Sequence, residues 1–239
     1  MQESKKFQIH ENERLVEIPA GAAKLEGILG LPENARGVVL FAHGSGGGRL
    51  SPRNNFIARA LRNVGFGTLL MDLLMVDEAE DRKRRSDTDL LAQRVLITTD
   101  WLQENGDTKN LRVGYFGADT GAAAVLMAAA RAGIEGAIPI TGEPGPCAVV
   151  CRAGRTDLSG PYLPYVKAPT LLIAGGDDRE IVKLNEAAHA ELRCEKGMVV
   201  IPGATHLFEE PGALEEVARL TTLWFNRYLN PCSDSSSSA

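Results

Sequence analysis

Apolar positions along the chain follow two periods that alternate from end to end. "RLVEIPA" and "KLEGILGLP" alternate apolar and polar residues around a Gly-containing turn, which predicts two antiparallel strands. "GVVLFAH" (Gly37 to His43) is continuously apolar and runs into a glycine cluster, as a strand buried on both faces does. "SPRNNFIARALRNVG" opens on a serine cap with proline at the first helical position and closes on Gly65, which predicts a helix. "GTLLMDLL" predicts the next strand. The charged stretch from Asp77 to Asp89 predicts a solvated loop, and "LLAQRVLITTDWLQENG" a helix stopped by Asn-Gly.

The pattern then repeats. "LRVGYFGADTGAAAVLMAAARAG", from Leu111, predicts a strand, a glycine-tight turn and an alanine-rich helix. "CAVVCRAG", "APTLLIAGG" and "GMVVIPGAT" predict strands; "REIVKLNEAAHAELR" and "GALEEVARLTTLWFNRYL" predict helices. "IEGAIPITGEPGP", between Gly133 and Cys147, reads as a long loop with no inserted cap. Strands separated by helix-length segments imply right-handed crossovers, so the fold class is α/β, a mostly parallel sheet with helices on both faces. With no internal repeat, the chain divides into an N-terminal extension (1–14), one domain (15–230) and a polar, low-complexity tail (231–239) expected to be disordered.

Composition narrows the function class. A chain of 239 residues can bury one sizeable core. Its net charge of −5 argues against binding a nucleic-acid backbone or an anionic membrane surface. No apolar run is long enough to span a bilayer, and "MQESKKFQIHENERLVEI" has no apolar core of a secretory signal. The cysteines, Cys147, Cys151, Cys194 and Cys232, form no C-x-x-C pair and no zinc-ligand spacing with histidine. Cys147 and Cys151, four apart on one strand, are too distant for a disulfide. Reduced thiols, a cytoplasmic location, no cofactor, no metal and a small-molecule substrate are the expectations; oligomeric state is not legible.

Functional groups in open α/β sheets gather where loops leave the carboxyl ends of strands. Four such ends carry reactive groups here: "FAHGSGGGRLSPRN", "GYFGADTG", "LLIAGGDDRE" and "VVIPGATHLF". In these motifs and in this order the chain resembles the α/β-hydrolase fold, and within it the dienelactone-hydrolase-like branch, which lacks a large cap domain. The resemblance runs from Leu15 to Leu229. It implies that Asp119 occupies the nucleophile position of a G-x-S-x-G elbow, His206 that of the base, and Asp178 that of its orienting acid, with Asp177 the alternative. It further implies an oxyanion hole from the backbone N–H of Thr120 and one from the Gly44–Ser45–Gly46 turn.

The departure is the tip of the elbow. A serine needs a base to take its proton, whereas an aspartate, with an intrinsic pKa of about 4, is already ionised. Haloalkane dehalogenases and epoxide hydrolases use such a carboxylate to attack an sp3 carbon, and a His-activated water then cleaves the alkyl-enzyme ester. Against an ordinary ester the same group is poor, because the tetrahedral intermediate expels carboxylate more readily than alkoxide. Losing the serine of a serine hydrolase costs on the order of 10⁶ in turnover. The resemblance therefore leaves two functions open: a hydrolase of small electrophiles acting through Asp119, and a serine esterase or lactonase scaffold disabled by Ser-to-Asp that retains ligand binding.

Other groups carry competing readings. Cys151 and Arg152 end a strand and could border the pocket; a packed thiol is the alternative for Cys151. Arg49, Arg53 and Arg152 could hold a substrate carboxylate or be solvated. Asp72 could line the site or cap a turn. His43 reads as structural, and His10 and His189 as surface positions. "GSGGGR" fails the dinucleotide-binding pattern, since Arg49 stands where its last glycine belongs, and no Walker-type lysine follows.

Overall fold

The computed structural model describes residues 12–43, 48–133 and 145–229. Among the described residues eight strands form one sheet in the order β1-β2-β4-β3-β5-β6-β7-β8. β1 (Glu13–Ala20) and β2 (Ala23–Gly30) pair antiparallel, turning at Gly21 with φ +66°. β2 also runs antiparallel to β4 (Gly67–Met71). From β4 onward, β3 (Val38–His43), β5 (Val113–Ala118), β6 (Val149–Arg152), β7 (Thr170–Gly175) and β8 (Lys196–Ile201) are parallel. β3 lies mid-sheet with later strands on both sides, so the loops leaving its carboxyl end and that of β5 meet at a topological switch point.

Helices cover both faces. On one face α1 (Pro52–Asn63) packs against α7 (Ala213–Tyr228); on the other α4 (Thr88–Glu104) packs against α5 (Thr120–Gly133). α6 (Arg179–Glu191) follows β7. Successive strand residues point to opposite faces, and the two cores divide accordingly. Val38, Leu40 and Ala42 of β3 join the α4/α5 core, whereas Val39 and Phe41 join the α1/α7 core. In β6, Val149 and Cys151 belong to the first and Val150 to the second. α1 begins as the sequence implies, with Ser51 accepting the Asn54 N–H and Pro52 in the first turn.

One segment differs from expectation, and one element was not anticipated. The stretch from Asp77 to Asp89 is not a loop: α2 (Val76–Glu80) and α3 (Arg82–Ser86) fill it, and Asp89 lies in the first turn of α4. Its charges act as caps, Asp81 accepting from Lys83 N at 2.8 Å and Asp87 from Leu90 N at 3.0 Å. A 3-10 helix over Thr156–Tyr165, interrupted by Pro161 and Pro164, packs between α5 and α6. The 134–144 part of the long loop and the 231–239 tail lie outside the described residues, as do most of residues 1–14. Among the described residues no helix is long and apolar enough to cross a membrane.

The α2 segment is fastened to α4 by the ion pair of Glu78 with Arg94. Arg94 of α4 grips Glu78 through two bonds of 2.5 and 2.7 Å and donates to the Leu73 carbonyl at 2.6 Å. That hydrogen bonding holds the Glu78 carboxyl below the ordinary carboxylate range. The pair's contribution is complete above that range and fades as acid protonates Glu78. Arg94→Met is expected to cost about 2 kcal/mol at neutral pH, lowering Tm by about 4–8 °C. Calorimetry should show parent and variant converging as the pH falls through the value at which folded Glu78 protonates.

Candidate active site

The turn between β5 and α5 is built for a strained tip. Asp119 adopts φ +54°, a left-handed conformation that costs a non-glycine residue about 1–3 kcal/mol unless the surroundings enforce it. They do. A Cβ on Gly121 would stand 2.3 Å from the Ala42 carbonyl oxygen, and one on Gly117 would stand 2.6 Å from Ala122 Cα. Both glycines let β5 turn sharply and α5 press against the end of β3. The Asp119 N–H donates to Arg152 O at 3.3 Å, and its carbonyl accepts from Ala122 N and Arg155 N, each at 3.1 Å. Thr120 opens α5, where a backbone N–H has no acceptor within the helix.

His206 lies in the loop after β8, with Asp178 beside it. The His206 ring Nδ1 and Asp178 Oδ2 are 2.7 Å apart. With the proton on Nδ1, the imidazole donates to Asp178 and leaves Nε2 free as a base. The other Asp178 oxygen accepts the Ile181 N–H at 3.2 Å and caps α6, so one carboxylate is fixed at both ends. Asp177 is exposed, its N–H given to the Ala204 carbonyl at 3.0 Å; Asp178 is the neighbour of the imidazole. Gly175 makes room for this loop, since a Cβ there would lie 2.5 Å from the carbonyl oxygens of Ala204 and Thr205.

Gly44, Ser45 and Gly46 lie outside the described residues, but the chain on either side is firmly held. Gly48 abuts the Met71 carbonyl, and Asp72 accepts the Arg49 N–H at 2.9 Å. The Arg49 guanidinium is spent on Asp72 and, at 2.6 Å, on Glu26, so neither group points to a substrate role. Asp72 holds the chain at Arg49.

Two neighbours on β6 part company. Cys151 is fully buried on the α4/α5 face, and burial pushes its thiol pKa up, which removes it from the expected pocket lining and from any role as a nucleophile. Arg152, one residue on, turns to the α1/α7 face, with Cζ 5.7 Å from the Phe208 ring centroid. Burial and the charge of Arg53 push its pKa down to about 10, while Asp119 opposes that shift. Burial, then Arg152, likewise lowers His43. Arg53 reaches Glu209 at 2.9 Å, tying the start of α1 to the His206 loop. Elbow and histidine loop are thus joined through Arg152 and Phe208.

A cleft of about 380 Å³, lined by Arg53, Phe208, Glu209 and Leu214 among others, opens beside this cluster. A roomier cleft of about 560 Å³, bordered by Glu13, Leu31 and Asp107, lies at the amino ends of the parallel strands and away from these groups. What the sequence did not reveal is that Arg152 is interior. The alternation along "AVVCRAG" carried the signal, since it sets Arg152 opposite Cys151.

No protein-family model matches the sequence. A dienelactone hydrolase of Anabaena variabilis is 50% identical, matching 91% of this chain and 98% of its own, with a TM-score of 0.83. The chain belongs to the dienelactone hydrolase family. As a dienelactone hydrolase relative it has the α/β-hydrolase fold inferred from its strand-end motifs. An α/β serine hydrolase without a lid, from Xanthomonas campestris, shares that fold at 18% identity, with a TM-score of 0.70 over 97% of this chain and 99% of its own. A Mycobacterium tuberculosis protein provisionally named a phosphoribosyl transferase is 47% identical over 216 residues, 90% of this chain and 46% of its own length. The dienelactone-hydrolase-like chain thus spans about half the length of the curated relatives it matches.

Proposed function

We propose that the chain is a hydrolase of small, uncharged electrophiles in which Asp119 is the nucleophile, His206 the base and Asp178 the acid that orients it. The observation that carries this reading is the elbow, where a carboxylic side chain is held at φ +54° between two glycines that admit no Cβ. A carboxylate oxygen attacks an sp3 carbon, the leaving group departs with its electron pair, and an alkyl ester forms on Asp119. His206 Nε2 then takes a proton from water, and the hydroxide adds to the ester carbonyl. Collapse expels the alkoxide, which takes the proton held on His206 and leaves as the alcohol, and the carboxylic acid so formed loses its proton to solvent to restore the carboxylate. The N–H of Thr120 and the turn containing Gly44, Ser45 and Gly46 would stabilise that oxyanion.

The transferase activity named for the longer relatives we assign to the portion this chain does not span, because the matched portion is the one that resembles dienelactone hydrolase. A cytoplasmic setting is supported by the free thiols of Cys147, Cys151 and Cys194. The test is a single turnover of styrene oxide or 1-chlorobutane in ¹⁸O-water, with mass spectrometry of the elbow peptide. Asp119 should gain one ¹⁸O while the alcohol carries the unlabelled oxygen. Turnover without label would remove Asp119 as nucleophile. Absence of turnover on both probes would favour a serine-hydrolase scaffold that binds without reacting.

A further inference from the structure

The two edges of the sheet are finished differently. β1 carries Glu13, Arg14, Glu17 and Pro19, charges and a proline of the kind that stop a foreign strand from pairing. β8 reads KGMVVI, with no acid, no proline and, among the described residues, no strand beyond it. Its one charge is drawn aside, since Lys196 Nζ donates to the carbonyls of His189 and Leu192 at 2.5 and 2.6 Å. Just before the strand, Glu195 is matched by Arg227 at 2.8 Å. The surface left at this edge is apolar: Val200 is 39% exposed, and Leu223 is 54% exposed on α7, whose Trp224 packs beside Gly197. The backbone is arranged for a symmetric partner. The Thr170 N–H donates to Glu195 O at 2.9 Å and the Gly176 N–H to Ile201 O at 2.8 Å, so the odd-numbered residues of β8 face β7. The alternation of a parallel ladder then turns the N–H and C=O groups of Lys196, Met198 and Val200 outward.

We propose that β8 is the seam of a homodimer, in which two copies of the chain pair antiparallel about a two-fold axis at Met198 and join their sheets into one. A second copy is the occupant this edge fits, because its outward groups are symmetric about Met198. Met198 then faces Met198 of the partner subunit, and Lys196 faces Val200 of the partner subunit. Every outward N–H of each strand finds a carbonyl across the axis, and the apolar side chain of Val200 lies against the stem of the opposite lysine. Association stops at two, since the pairing consumes β8 and leaves only the guarded edge at β1. The seam does not depend on which group is the nucleophile.

The test uses the full chain, by sedimentation velocity from about 1 to 100 µM and by hydrogen exchange over residues 196–201. The parent should be dimeric at the upper end of that range. Val200→Pro deletes an outward N–H that β7 does not use, and should weaken association tenfold or more. Val200→Lys keeps every N–H but sets two lysines opposite each other, and should weaken association as much, with part of the loss recovered at high salt. At about 100 µM, amides over 196–201 should exchange at least tenfold more slowly in the parent than in Val200→Lys, while those of β1 exchange alike. A parent that stays monomeric would overturn the proposal, as would a dimer that survives both substitutions or one whose 196–201 amides are unprotected. A monomer with those amides already protected would also overturn it, by showing that another part of the chain covers the edge. If circular dichroism shows Val200→Pro unfolded, Val200→Lys decides alone.

Discussion

Replacing Asp119 with serine is expected to raise hydrolysis of an unactivated ester such as methyl butyrate by about 10³-fold or more over the parent chain. The gain comes from leaving-group chemistry. When a carboxylate adds to an ester carbonyl, the intermediate returns to reactants because carboxylate leaves more easily than alkoxide. A serine oxygen leaves no more readily than the substrate's own alkoxide, so the intermediate can proceed to an acyl-enzyme. The remaining parts stand ready: the packing of the turn already enforces φ +54° at residue 119, and His206 is already 2.7 Å from Asp178. Initial rates in a pH-stat, with Asp119→Ala as baseline, provide the check. A serine variant no faster than the alanine variant would mean that elbow and imidazole are not aligned.

The second large effect is steric. Gly121→Ala should cost about 3 kcal/mol and lower Tm by about 6–12 °C. Its Cβ would meet the Ala42 carbonyl oxygen at 2.3 Å and the Ala42 carbonyl carbon at 2.7 Å, both backbone atoms in the middle of the sheet. Neither can step aside without moving β3 away from α5. Gly160→Ala is the matched control, since nothing lies within 4 Å of its Cβ, and its Tm should stay within about 2 °C of the parent. Differential scanning calorimetry of the two variants separates close packing at the elbow from a general cost of losing glycine.

These effects also mark how far the sequence could be read. The apolar run at Gly37–His43, the Ser51–Pro52 helix start and the order of the strand-end motifs are local signals, and the structure follows them. The segment from Asp77 to Asp89 misleads because its charges suggest solvation, whereas Asp81 and Asp87 use theirs to start helices. The Thr156–Tyr165 turn has prolines and no helical period, so its place between α5 and α6 is set by packing. The choice between Asp177 and Asp178 depends on how β7 passes into α6, which the doubled aspartate conceals. The facing of Arg152 is legible in the alternation of β6, whereas its burial is a tertiary fact set by the residues packed over it.

Asp178 has a consequence for how steadily the imidazole is aimed. Its two oxygens divide between the first turn of α6 and the His206 ring, 28 residues further along the chain. The histidine sits in a connecting loop, yet its bearing is inherited from a thirteen-residue helix docked beside the sheet. An imidazole carried by a loop is thereby given the stiffness of the helix that Asp178 caps.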